Sequence, residues 1–200
     1  MIFRAYAIVK NTKVEGPNNR YCIWFQGCKK RCKGCFAYST WDLNGGFEFD
    51  CDEIIKDILN TKGIEGVTFL GGEPFLQFDA LYEIARAVHN SGLSTLCFSG
   101  KSFKTIKSNY SKIFPYIDIL VDGEYIEEEK DFSRPWVGSK NQKFYFLSDR
   151  YDESILKQYK NKAEIRINQN GEYFINGMGD FEKLCKTLEI TPNRRLNSKN

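Results

Sequence analysis

Three short apolar runs, GVTFL at 66–70, LSTLCF at 93–98 and IDILV at 117–121, alternate with stretches of helical periodicity, and this alternation restricts the chain more than any other feature. Each run is strand-length, and the connections between them are too long for hairpins and long enough for a helix. Asp50 or Asp52 can cap a helix that carries Ile54, Ile55, Ile58 and Leu59 on one face, with Gly63 as its stop. Asp79 starts a second, with Leu81, Ile84, Ala85 and Val88 inward and a halt near Gly92, and a short helix fits 101–109. Strand–helix–strand units of this kind give right-handed crossovers and a mainly parallel sheet. Further strands are predicted at 2–9 and 21–26, around the turn GPNN at 16–19, and at 143–147, 163–168 and 172–175, with a helix at 180–188. Five or six such units are too few to close an eight-unit barrel. The α/β fold expected is therefore an incomplete (β/α)6-type barrel, open on one side, with its chemistry at the C-terminal ends of the strands.

The whole chain of 200 residues reads as one domain, with a core at about 15–147, a β/α extension at 148–190 and a frayed Asn/Lys/Arg-rich tail at 191–200. No apolar stretch approaches a membrane span and the N-terminus does not read as a signal peptide, so the expected location is the cytoplasm. A net charge of +3 is too small for a nucleic-acid binder.

Seven cysteines in a reducing compartment are a poor disulfide framework. Cys22, Cys51, Cys97 and Cys185 stand apart and read as small buried hydrophobes. Cys28, Cys32 and Cys35 fall within eight residues as CxxxCxxC. Three thiolates at that spacing can hold three irons of a 4Fe-4S cluster and leave the fourth open. A second motif, Gly71, Gly72, Glu73 and Pro74, directly follows a predicted strand. Its glycines allow a sharp turn with N–H groups near a ligand, and Glu73 suits a cationic group. The Cys loop, Gly71 to Pro74, Ser99 and Gly100, and Asp122 to Glu124 all follow strands, so they are expected at one mouth.

Together, CxxxCxxC and GGEP resemble the radical S-adenosylmethionine superfamily. The resemblance implies that S-adenosylmethionine occupies the open iron, that an electron breaks its C–S bond, and that the 5′-deoxyadenosyl radical takes hydrogen from a substrate. It also makes the expected fold a radical-SAM barrel. GCKKRCKGCFAYSTWDLNGG from Gly27, ILVDGEY at 119–125 and VGSKNQKFYFL at 137–147 are similar to the activating proteins of anaerobic ribonucleoside-triphosphate reductases. Gly34 before the third cysteine, Trp41 after it, Val121 to Tyr125 and Gly138 to Gln142 match that pattern, while Ala37 and Tyr38 stand where the family usually carries Asn. That resemblance implies a partner glycyl-radical enzyme, the anaerobic ribonucleotide reductase, and an electron donor such as flavodoxin or ferredoxin. A pyruvate formate-lyase-type activase, or a radical enzyme acting on another peptide or small molecule, is the alternative. The alternative from another class is a zinc-stabilised binding module, against which stand three thiols with no nearby histidine.

The remaining candidates carry two readings each. Phe36 and Tyr38 pack over the cluster and adenine or fill the mouth. Ser99 approaches the methionyl or ribose portion of the cofactor or ends a strand. Asp122 is a cofactor residue or a turn residue, and Asn141 and Gln142 bind adenine or brace their loop. The basic residues Lys29, Lys30, Arg31 and Lys33 support an anionic cluster and an acidic donor protein, or simply solvate the loop. His89 reads as a surface residue.

Overall fold

The apolar runs form strands that lie side by side, as their alternation with helices requires. The computed structural model describes residues 1–167, 169–171, 173–179, 181–187 and 189. The tail at 191–200 lies outside the described residues. The strands are β1 (Ile2–Thr12), β2 (Arg20–Phe25), β3 (Phe47–Asp50), β4 (Gly66–Gly71), β5 (Ser94–Phe98), β6 (Ile119–Asp122) and β7 (Lys143–Phe146), followed by β8 (Ala163–Ile167) and β9 (Tyr173–Gly177). The helices are α1 (Cys51–Asn60), α2 (Phe78–Asn90), α3 (Phe103–Tyr110), α4 (Ile155–Gln158) and α5 (Phe181–Thr187). Seven strands make one sheet in the order β3-β1-β2-β4-β5-β6-β7, and β8 and β9 form a separate antiparallel hairpin.

The centre of the sheet is parallel, with β2, β4, β5 and β6 following one another without reversal. Its flanks are antiparallel, since β1 pairs with both β2 and β3, and β7 folds back on β6. Periodicity identified β1 and β7 as strands but carried no information about their direction. Two short elements escaped it altogether. β3 is the four-residue edge strand FEFD, and α4 is a single turn.

Side chains alternate across the sheet and separate two cores. Tyr21, Ile23, Phe25, Val67, Phe69, Cys97 and Leu120 face the helices, where Ile54 and Ile58 of α1, Leu81, Ile84 and Val88 of α2 and Ile106 of α3 cover them. Cys22, Trp24, Leu96, Ile119 and Val121 face the other way, toward Phe174 of β9 and Val137. Burying each large apolar side chain contributes about 1.5–3 kcal/mol, so both layers are needed to hold the sheet. Cys22, Cys51, Cys97 and Cys185 are all buried, as expected. His89 is a correction, for it is half-buried, with its ring edge-on to Tyr116 at 6.0 Å.

The helix starts follow local chemistry. Asp50 caps α1 by accepting from the N–H groups of Asp52 and Glu53 at 2.9 and 3.3 Å, and Ser102 caps α3 through Thr105. α2 begins at Phe78, after a 3-10 turn over Pro74–Gln77, with Asp79 in its first turn.

At the N-terminal end of the parallel strands, Arg20 is fully buried. Its guanidinium donates to Thr68 Oγ1 (2.6 Å), Val67 O (2.7 Å) and Ser94 Oγ (3.0 Å), tying β2, β4 and β5 together. Arg20→Met keeps the aliphatic bulk and leaves those acceptors empty. A loss of about 3 kcal/mol is expected, read as a fall in Tm of about 5–10 °C by calorimetry.

Candidate functional site

The two motifs, separated by the 35 residues 36–70, meet through their backbones. β4 ends at Gly71 (φ +104°) beside the end of β2, where a Cβ would lie 2.7 Å from Phe25 N and O. Gly72 N–H then donates to Phe25 O at 2.8 Å, and Glu73 N–H donates to Gly27 O at 2.9 Å. A Cβ on Gly72 would sit 2.3 Å from Gly27 O, so the close approach needs glycine there. Gly27 is the residue before Cys28. The cysteine loop closes on itself, with Gly27 N–H donating to Thr40 O (2.7 Å), Cys28 N–H to Trp41 O (3.2 Å) and Cys35 N–H to Cys32 O (3.1 Å).

Glu73 joins this junction to the end of β5. It is buried, and its Oε1 accepts from Ser99 Oγ (2.9 Å) and Phe75 N (3.2 Å), while Oε2 accepts from Gly100 N (3.0 Å). Burial raises its pKa, against the opposing pull of those donors and of Lys101. Ser99 is thus a partner of Glu73, and its N–H donates to Val121 O at 2.9 Å, which brings in the end of β6. Pro74 is buried at the start of the 3-10 turn.

Several candidate side chains are occupied within the protein. Asp122 accepts from the N–H of Phe103 at 2.5 Å and so holds the start of α3. Asn141 donates to Glu124 O (2.8 Å) and accepts from Ser139 Oγ (2.7 Å), and Gln142 bonds Gly138 N, Ser139 N and Gly123 O. These are the bracing positions of the alternative reading. Lys30 pairs with Glu124 (3.0 Å), and Lys33 with Glu127 (3.1 Å) and Glu128 (3.6 Å), so two of the four basic residues strap the cysteine loop to the segment that follows β6. Gly34 (φ +71°) lies against Glu127. Lys29 and Arg31 are exposed.

The three thiols are free and lie within electrostatic reach of one another. Burial pushes Cys32 and Cys35 up. The backbone N–H of Tyr125 opposes this at Cys32, and at Cys35 the N–H of Ala37 and the side chain of Trp41 oppose it. Such donors stabilise thiolate sulfur and the metal bound to it. Among the described residues no three His, Cys, Asp or Glu side chains gather around a single-ion position.

Cys35 and Phe36 border a cavity on the face of the sheet opposite α1, α2 and α3, where Leu70, Gly71 and Phe98 mark the strand ends. Phe36 packs against Tyr125 at 5.7 Å and Phe132 at 6.3 Å. Tyr38 is exposed and outside the cavity lining. The far wall runs from Phe174 to Met178, with Trp24, Trp136 and Glu15. That wall was not foreseen, because nothing in the local pattern of β9 says which surface it covers.

Residues 14–145 match the family described as a 4Fe-4S single cluster domain. The chain belongs to that family. It is also 31% identical over 137 residues to the anaerobic ribonucleoside-triphosphate reductase-activating protein of Vibrio cholerae, covering 64% of this chain and 88% of the relative. The protein of that name from Escherichia coli K12 is 30% identical over 143 residues, covering 67% of this chain and 92% of the relative. A pyruvate formate-lyase-activating enzyme of Clostridium pasteurianum is 32% identical over 133 residues, 63% of this chain and 54% of the relative. These relatives bear out the resemblance to radical S-adenosylmethionine activating proteins. For a single-cluster member, three free thiols with hydrogen-bond donors beside two of them are a fitting ligand set. No described helix is long and apolar enough to cross a membrane.

Proposed function

We propose that the chain is a radical S-adenosylmethionine enzyme that generates a glycyl radical on a partner, the anaerobic ribonucleoside-triphosphate reductase. The observation that carries this reading is the backbone junction of Gly72 and Glu73 with Phe25 and Gly27, which brings GGEP to the entrance of CxxxCxxC. Cys28, Cys32 and Cys35 hold the cluster, and Gly71 to Pro74 border the cofactor's methionyl part. When bound, the cluster and S-adenosylmethionine would supply the one-electron cleavage of a sulfonium C–S bond, to methionine and a radical able to take a hydrogen atom.

The chain's own residues bind, orient and shield. Glu73 stays with Ser99 and Gly100 and fixes the ends of β4 and β5 relative to the cysteine loop. Phe36 and Tyr125 wall the cavity on the thiol side and exclude water. We read the fold as an incomplete (β/α)6-type barrel in a single domain, with a core at about 15–147 and an extension at 148–190; the four parallel strands β2, β4, β5 and β6, with α1, α2 and α3 on one face, support it. Electrons come from a flavodoxin or ferredoxin. The Clostridium relative favours a second reading, a pyruvate formate-lyase-type partner.

Trp41 and the N–H of Ala37 lower the cost of charge at Cys35. Trp41→Phe keeps the ring and removes a donor. The midpoint potential is expected to fall by on the order of 50 mV in a redox titration followed by electron spin resonance.

The function is tested by incubating the reduced, anaerobically reconstituted protein with S-adenosylmethionine and each candidate partner. A glycyl doublet on the reductase supports the first reading, and a doublet only on pyruvate formate-lyase supports the second. Cofactor cleavage with neither signal overturns both.

A further inference from the structure

The family match ends at residue 145, yet the far wall of the cavity is built by β9. Within that strand Asn176 is 4% exposed and lines the cavity. The orientation of its amide follows from its partners. Glu164 only accepts, so the Thr12 hydroxyl gives its proton to Glu164 Oε2 (2.6 Å) and takes the N–H of Asn176 (3.1 Å). The other end of the amide, Oδ1, is buried and accepts nothing among the described residues. Buried acceptors are rarely left empty, and in a residue that lines a cavity the missing donor is an ordered water or a group on a ligand. Glu15 adds a second acceptor nearby, engaged with the N–H of Gly177. The surroundings are apolar, with Trp24 and Phe174 edge to face at 5.6 Å. An N–H group on a compact, otherwise apolar segment suits both features.

We propose that Asn176 is a substrate-recognising residue whose Oδ1 accepts a hydrogen bond from an amide N–H of the polypeptide that loses hydrogen. This rests on the reading above that the substrate is a polypeptide. The relatives share the cluster domain and their names differ in the enzyme activated. The wall that carries Asn176 lies outside the family-matched span.

The test uses the reconstituted protein with S-adenosylhomocysteine present and N-acetylglycinamide as probe, with binding followed by saturation-transfer NMR. Asn176→Leu is expected to weaken the probe about tenfold and to leave S-adenosylhomocysteine affinity unchanged. The fully N-methylated probe, which has no N–H, is expected to bind the native protein as weakly as the variant binds the parent compound. Asn176→Ala serves if Asn176→Leu does not fold. Equal affinity in the folded variant, no saturable binding to the native protein, or a parallel loss of S-adenosylhomocysteine affinity overturns the proposal. Failure of the underlying functional reading would register separately, as native protein without iron before any probe is added.

Discussion

Single replacement of Cys28, Cys32 or Cys35 by Ala is expected to reduce S-adenosylmethionine cleavage more than about 100-fold, because removing a ligand exceeds the cost of disturbing its surroundings. Iron bound after reconstitution should fall in step, as measured by colorimetric analysis under anaerobic conditions. Cys51→Ala and Cys185→Ala should keep both iron and cleavage. Neither thiol belongs to the loop that Gly27 and Trp41 close: Cys51, the first residue of α1, is buried in the layer under the helices, and Cys185 of α5 is buried beside Ile175, where the loop residue Phe36 also packs. Retained iron in all three loop variants would remove the triad from its assigned role.

Gly72→Ala is expected to be almost as damaging. Its Cβ would meet Gly27 O at 2.3 Å and Gly27 C at 2.8 Å, and a third backbone atom, Thr40 O, lies at 3.1 Å. No flexible side chain is present to give way, so the junction between GGEP and the cysteine loop must open. A loss of about 3 kcal/mol, or about 5–10 °C in Tm, should accompany loss of cofactor cleavage. Gly179→Ala is the control, since nothing lies within 4 Å of its Cβ. Equal melting temperatures and activities for the two variants would contradict the account of the junction.

Much of this architecture was legible because its signals are local. GVTFL, LSTLCF and IDILV became β4, β5 and β6, Asp50 became the cap of α1, and GGEP and CxxxCxxC met at the ends of the strands. Strand direction was not legible at the sheet's flanks, because a period of two marks a strand but not its neighbour. FEFD was missed as β3, being short, half charged and at an edge.

At the site, residue type announced that Ser99, Asp122 and Asn141 would make hydrogen bonds but not with whom. Ser99 bonds Glu73, Asp122 bonds the start of α3, and Asn141 bonds Glu124 O. The ion pairs of Lys30 and Lys33 needed Glu124, Glu127 and Glu128 to be brought back across the loop, which is a tertiary event. Asn176 and Glu15 carried no motif at all. They acquire meaning only when the β8–β9 hairpin is laid over β1 and β2.

The central claim is that Cys28, Cys32 and Cys35 hold a cluster with one iron left for S-adenosylmethionine. Iron and sulfide analysis of the anaerobically reconstituted protein, joined to electron spin resonance of its reduced form with and without S-adenosylmethionine, tests it directly. The account predicts about four irons and about four sulfides per chain, and a reduced-cluster spectrum that changes when S-adenosylmethionine is added. One zinc with no iron, or a spectrum indifferent to S-adenosylmethionine, would contradict it.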